Sequence, residues 1–382
     1  MMCWRGWTLL INLLVVGTGI AAHGSPEAAG PPAGFQPQSL ARVVDSQTVV
    51  VAGTAPCGPL FCAVVLSGSP GAGGRVNRWR RLQPPPVPRA QSAAALDVGV
   101  LAFANSLAGY DLVAASALGH AAKLYATSDA GASWQQERIM SGSVLTLVAS
   151  PLAFYAVTAH CHLGSCDDYQ LARSVPGTTQ WSSTPIPGTA RLDGNPVDLA
   201  VQGTEVFLDF QPPVQGAKPH VLVARDGRGP FKAYVVPRLE SVGACSLDPQ
   251  PGGAVWASCP TGMMVSYLHS QSVAGPYAGV WAYAGTGGGG LVPVTGQIAY
   301  RYTGIPTSDL PGDILQRSVN GGRSFNDVGP WPFARSAGTP TTQFLFLNEE
   351  EGFGLGAAPS SPRTLDIVET ADGGRHWGEV LP

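Results

Sequence analysis

The stretch "TSDAGASW", residues 127–134, decides the fold because it returns twice without a gap, as "SVNGGRSF" at 318–325 and "TADGGRHW" at 370–377. The shared order is SxDxGxxW: Thr127, Ser318 or Thr370, then Asp or Asn, then Gly, then a large aromatic ring. Asp129, Asn320 and Asp372 can accept hydrogen bonds from N–H groups of their own turn, and Gly131, Gly322 and Gly374 permit a tight backbone path. Trp134, Phe325 and Trp377 then open the next strand, where a large ring can be buried between neighbouring sheets.

Between these copies lie weaker ones that keep the final aromatic: "SVPGTTQW" ends at Trp181, "ARDGRGPF" at Phe231, "SQSVAGPY" at Tyr277 and "NRW" at Trp79. The steps from 79 to 377 are 55, 47, 50, 46, 48 and 52 residues, the length of one four-stranded blade each. Within a period the order is constant. In the last one, "TQFLFL", "EGFGLGA", "TLDIVET" and "WGEVL" read as four strands, with the box between the third and the fourth. These spacings predict an all-β fold, a single β-propeller over residues 39–382 with seven four-stranded blades, six or eight being the alternatives because four of the markers are degenerate. Because an open ring leaves strand edges bare, "SLARVVD" (39–45) is expected to close it beside the last blade, so that its removal lowers stability sharply.

Composition agrees. Of the 382 residues 12% are charged, about half the usual share, while 49 Gly and 34 Pro oppose helix interiors and suit short strands with tight turns. A formal net charge of −3 gives no electrostatic footprint for nucleic acid or an anionic membrane. The local basic run "RVNRWRR" (75–81) continues into "LQPPPVPR" and reads as an exposed loop.

The chain opens with an Arg-bearing start, an apolar run near 9–16 and small residues around Ala21 and Ala22, the pattern of a secretory signal peptide over 1–24. An uncleaved membrane anchor is the alternative, against which stand the shortness of the apolar run and Asn12 within it. A flexible linker follows over 25–38. Once the signal is removed no integral membrane segment is expected, and the mature protein is expected to be secreted or held in the cell envelope. Beyond Cys3 six cysteines remain in three close pairs: Cys57 with Cys62, Cys161 with Cys166, and Cys245 with Cys259. An even count in an exported chain reads as disulfides, two clamping hairpin loops and one bridging strands across "DPQPGG". A metal site from Cys161, His162, Cys166 and Asp167 is the alternative, against which stands its unusual four-residue gap.

The three full boxes resemble the Asp-box, or BNR repeat, of sialidase-like propellers and of the photosystem II stability and assembly factor family. That resemblance implies a propeller in which the box residues are structural, sitting at a turn between outer strands away from the ligand-binding face. It implies a binding or assembly scaffold for a protein or glycan partner, with a divergent exo-sialidase-like glycoside hydrolase as the alternative. Sialidase chemistry needs an arginine cluster for the substrate carboxylate, a Tyr activated by Glu, and an Asp acid/base. The family's Arg-Ile-Pro mark is missing: Arg42 in "ARVVD" lacks the Ile-Pro, and no spacing joins Glu205 or Glu240 to Tyr300 or Tyr302.

No HExxH, GxSxG or phosphate loop ending in GK occurs, and "GTGGGG" (285–290) precedes no helix pattern. Hence no catalytic residue, cofactor-binding residue or metal ligand is assigned, and the expected form is a noncatalytic monomer. Two segments are candidates for a partner contact: Tyr300, Arg301 and Tyr302 in "YRYTG", residue types enriched at interfaces, and "AHCHLGSCDDY". For "YRYTG" a strand with alternating core aromatics is the competing reading.

Overall fold

A computed structural model describes residues 30–44, 46–71, 76, 78–87, 89–93, 96, 98–113, 123–139, 142–162, 165–187, 198–210, 220–235, 245–261, 264–283, 290–303, 314–333, 343–357 and 365–380. The signal segment 1–24, Glu240 and residues 285–289 lie outside them.

Twenty-eight strands form seven antiparallel four-stranded sheets. Blade 1 is β1 (Gln36–Arg42), β2 (Val49–Cys57), β3 (Leu60–Gly68) and β4 (Trp79–Leu82); blade 2 is β5 (Val100–Phe103), β6 (Gly109–Val113), β7 (Lys123–Thr127) and β8 (Gln135–Glu137). Blade 3 is β9 (Ser143–Ala149), β10 (Phe154–His162), β11 (Ser165–Ser174) and β12 (Trp181–Pro185); blade 4 is β13 (Asp198–Gln202), β14 (Glu205–Phe210), β15 (His220–Arg225) and β16 (Arg228–Val235). Blade 5 is β17 (Ser246–Pro249), β18 (Val255–Thr261), β19 (Met264–Ser270) and β20 (Ala278–Tyr283). Blade 6 is β21 (Leu291–Pro293), β22 (Ala299–Thr303), β23 (Ile314–Ser318) and β24 (Asn326–Pro330); blade 7 is β25 (Gln343–Phe346), β26 (Gly352–Ala357), β27 (Leu365–Thr370) and β28 (Gly378–Glu379).

Burial follows strand position. Second strands are sandwiched between blades on both faces, so the Val49–Ala55 part of β2 and the Phe154–Ala159 part of β10 are continuous buried runs, whereas the outer β8 and β12 are polar and largely exposed. Antiparallel succession also sorts the turns. First-to-second and third-to-fourth strand turns fall on one face of the ring, and second-to-third hairpins on the other.

The aromatic markers precede or lie in the fourth strand of all seven blades and pack against the preceding blade. Trp79 joins the core shared with blade 7, Trp134 that shared with blade 1, and Tyr277 that shared with blade 4. Trp181 and Phe231 pack on the blade 2/3 and 3/4 cores, Phe325 lies 6.4 Å from Tyr267 of blade 5, and Trp377 packs on the blade 6/7 core. Spacing therefore reports blade interfaces, and one ring per interface is what the sequence encodes.

Two expectations are corrected. The N-terminal strand does not complete the last blade: β1 begins at Gln36, inside the expected linker, and pairs with β2 as the innermost strand of blade 1. Blade 7 has its own four strands because β28 follows the last box directly, so the seam closes through side chains. Leu347, Phe353, Leu355 and Ile367 pack on Val49, Val51, Val64 and Leu66, and Gln343 Oε1 accepts from the Leu40 N–H at 3.0 Å. The second correction concerns the basic run, where Trp79–Leu82 is strand β4 rather than a loop. As an outer strand it tolerates charge, with Arg80 and Arg81 exposed between buried Trp79 and Leu82.

Candidate functional site

The box turns repeat at atomic detail. In each, the leading hydroxyl donates to the Asp or Asn side chain, at 2.9 Å for Thr127 to Asp129, 3.1 Å for Ser318 to Asn320 and 2.9 Å for Thr370 to Asp372. The same hydroxyl accepts from the N–H of Gly131, Gly322 or Gly374, at 2.9 Å every time. The Asp or Asn oxygen then accepts from the N–H one residue before the aromatic: Ser133, Ser324 or His376. Burial alone would raise the Asp372 carboxyl, but hydrogen bonds from the His376 N–H and ring and from the Thr370 hydroxyl outweigh it and bring the pKa down to about 2.

The glycines satisfy two demands at once. Gly374 has φ 88°, and a Cβ there would meet Leu315 Cδ2 of blade 6 at 2.2 Å. The leading hydroxyl and the Asp or Asn side chain thus make these hydrogen bonds within the turn itself. The sequence reading assigned the carboxylate and the glycine; the bridging hydroxyl it left without a part.

Tyr300, Arg301 and Tyr302 lie on β22, the second strand of blade 6, and the strand's alternation inserts them between blades. Tyr300 is 0% exposed, stacks on Phe346 at 3.8 Å between centroids and donates to the Glu349 carbonyl at 2.6 Å. Burial pushes its hydroxyl up to about 12. Tyr302 packs on Trp331 from the same face, while Arg301 points the other way, its guanidinium 4.2 Å from the Phe325 centroid and 5.6 Å from that of Tyr267. The expectation of an interface here is corrected: Tyr300 is core and Tyr302 is half-buried against it, because a second strand has blades on both sides.

All three cysteine pairs are bonded, and all three bonds lie on the face opposite the boxes. Cys57–Cys62 clamps the β2–β3 hairpin and Cys161–Cys166 joins directly opposed residues of the β10–β11 hairpin. Cys245, just before β17, is bonded to Cys259 near the end of β18. The bonded sulfurs of Cys161 and Cys166 are not available as thiolate ligands, so the alternative four-ligand metal set does not form. Beside that bond a register shift and the left-handed backbone of Asp168 (φ 50°) bring His160, Asp167 and Asp168 together. Their ligand atoms lie within 4.8 Å of one another, and His160 Nδ1 is 3.5 Å from Asp168 Oδ2. All three are exposed, and we assign them no ion.

Inner strands β1, β5, β9, β13, β17, β21 and β25 line the ring's centre with mainly apolar residues. Their charged residues are Arg42, Asp198 and Asp248. Asp198 Oδ2 accepts from the Leu247 N–H at 2.7 Å, tying β13 to β17, and Asp248 accepts from the Gln250 amide. Burial pushes the Asp248 carboxyl up to about 7, the Gln250 hydrogen bond opposing and the charge of Asp198 adding. A carboxyl raised in the folded state binds more protons there than in the unfolded chain, so stability falls as pH rises from about 4 to about 7, by at most about 1.4 kcal/mol per pH unit. Thermal melts across pH 5–8 are expected to show this fall in the native protein and a shallower one in Asp248→Asn; parallel profiles would remove Asp248 as its source.

These observations define an all-β seven-bladed propeller, and known structures share that fold. "YCF48 bound to D1 peptide" superposes with a TM-score of 0.54 at 13% identity, covering 92% of this chain and 96% of that one. The propeller domain of the Trilobed protease from Pyrococcus furiosus, described as having an open velcro topology, gives 0.56 at 5%, covering 91% and 98%. A GH74 enzyme from Niastella koreensis gives 0.57 at 12%, covering 92% of this chain and 54% of its own. No family model and no curated protein matches the chain. At these identities the likeness is one of fold, shared by a peptide-bound protein and by enzymes.

Proposed function

We propose that this protein is an exported, noncatalytic and monomeric propeller that holds a protein or glycan partner on the face bearing its disulfides. The observation that carries the reading is that face itself. A crosslink spanning five residues removes little unfolded-chain entropy, about 2 kcal/mol each for Cys57–Cys62 and Cys161–Cys166. What such bonds do locally is fix the tips in one shape, which lowers the ordering cost of binding. Three disulfides also suit an oxidising, extracytoplasmic compartment. The peptide bound to the YCF48 structure favours a protein partner over a glycan. The apolar inner strands favour binding over sialidase chemistry, which calls for convergent arginines beside a Tyr–Glu pair.

A peptide library and a glycan array probed with the secreted protein should each report a specific ligand or none. For the ligand found, the pair Cys161→Ser with Cys166→Ser is expected to weaken binding at least tenfold while costing only about 2 kcal/mol of stability. Leu152→Asp, on the box face where Leu152 is 54% exposed, is expected to leave binding unchanged. Loss of binding in Leu152→Asp alone would move the site to the other face. Turnover of a fluorogenic sialoside, abolished by changing one Tyr, would replace the scaffold by the enzyme.

A further inference from the structure

On the box face, blade 1 turns two cross-strand rows of side chains toward blade 2. Register places Val50 opposite Ser67 and Ser67 opposite Arg80. One step further out, the Thr48 and Ser69 hydroxyls share a hydrogen bond of 2.8 Å, and Arg78 stands two residues before Arg80, on the same side of the chain. Deeper on this face Ala52, Val65 and Leu82 belong to the apolar core with Phe103 and Trp134. Polarity therefore changes along the face, from aliphatic to hydroxyl and guanidinium.

With Ser106 and Ala130 of blade 2 these residues line an open cavity of ≈ 360 Å³. Val50, Leu82 and Phe103 line it beside the side chains of Thr48, Ser67, Ser69 and Ser106 and the two arginines. No carboxylate is among its described lining residues, and neither Arg78 nor Arg80 forms an ion pair among the described residues. Two neighbouring guanidiniums with no ion pair among the described residues repel each other, and a shared oxyanion relieves that repulsion with planar, multiply hydrogen-bonded geometry.

We propose that this cavity is a binding site for an acidic sugar unit, a single ring carrying a carboxylate or a sulfate. Arg78 and Arg80 hold the oxyanion, the four hydroxyl side chains exchange hydrogen bonds with the ring hydroxyls, and the C–H face of the ring lies on Val50, Leu82 and Phe103. A bare inorganic anion would use only the guanidiniums. The volume, near the lower end of the roughly 300–1,000 Å³ of small-ligand pockets, suits one ring. The site lies on the face opposite the disulfides, so it stands whether or not the scaffold reading above does.

Calorimetric titration of the purified protein with glucuronate, glucose 6-sulfate, glucose and sodium sulfate tests it. At least one acidic sugar is expected to bind at least about tenfold more tightly than glucose or inorganic sulfate, and Arg80→Gln to weaken that binding about tenfold. Arg81→Gln changes the net charge equally from the opposite side of β4 and is expected to leave binding within about twofold. Both arginines are exposed, so neither change should alter the melting temperature, which serves as the folding control. Absence of binding by both acidic sugars, equal binding of inorganic sulfate, or equal weakening by Arg81→Gln would each overturn the proposal.

Discussion

Deleting residues 39–45 is expected to abolish cooperative folding. The segment supplies most of β1, which pairs with β2 from Gln36 opposite Thr54 to Arg42 opposite Val49. Without it the backbone edge of the most buried strand of blade 1 faces the channel unpaired, since Val49, Val51 and Ala52 are each 0% exposed. Val43, 1% exposed, also forms an isolated parallel bridge to Phe103 of blade 2, while the Leu40 N–H is bonded to Gln343 of blade 7. One strand thus touches three blades across the seam where no shared sheet exists. Burial of Val43 alone contributes about 1.5–3 kcal/mol. Adding the lost ladder, the total reaches at least about 5 kcal/mol, the scale of a domain's whole net stability. Circular dichroism melts and soluble yield check this; a truncated chain with an unchanged cooperative transition would show that blade 1 does not need its inner strand.

Replacing Trp134 by Ala is expected to cost about 3–5 kcal/mol, read from urea unfolding midpoints. The ring is 8% exposed, packs edge-on against Phe103 at 6.3 Å, and its indole N–H donates to the Gln83 carbonyl of the preceding blade at 2.6 Å. Alanine there leaves both a void and an unpaired carbonyl at the blade 1/2 interface. Trp134→Phe retains most of the volume and loses the hydrogen bond, so it should cost about 1 kcal/mol. A Trp134→Ala loss below that of Trp134→Phe would show that the markers do not wedge the blades together.

Much of the fold was legible because the repeat is local. The path of the box is dictated by Thr127, Asp129 and Gly131 themselves, and the ring three residues after the glycine has one apolar place to go, so even Trp181 and Tyr277, whose boxes have decayed, still mark a blade. Closure was not legible, since "SLARVVD" reads equally as a strand of the first blade or of the last, and only the presence of β28 decides. "YRYTG" was ambiguous for a related reason. Tyr and Arg suit an exposed contact or an inter-blade slot, and the choice depends on what stands on either side.

The sequence by itself determined the all-β class, the cysteine partners as neighbours and the turn chemistry of the boxes, because each rests on residues within about fifteen positions of one another, and it determined the seven-fold period because the aromatic markers recur every 46–55 residues. Tertiary structure alone decided which face carries the disulfides, that Tyr300 is core, and that Arg78 and Arg80 of one blade line an open cavity with Ser106 of the next. Those relations depend on strand direction and on how adjacent sheets stack, and residues that are far apart along the chain are brought together only when the ring forms.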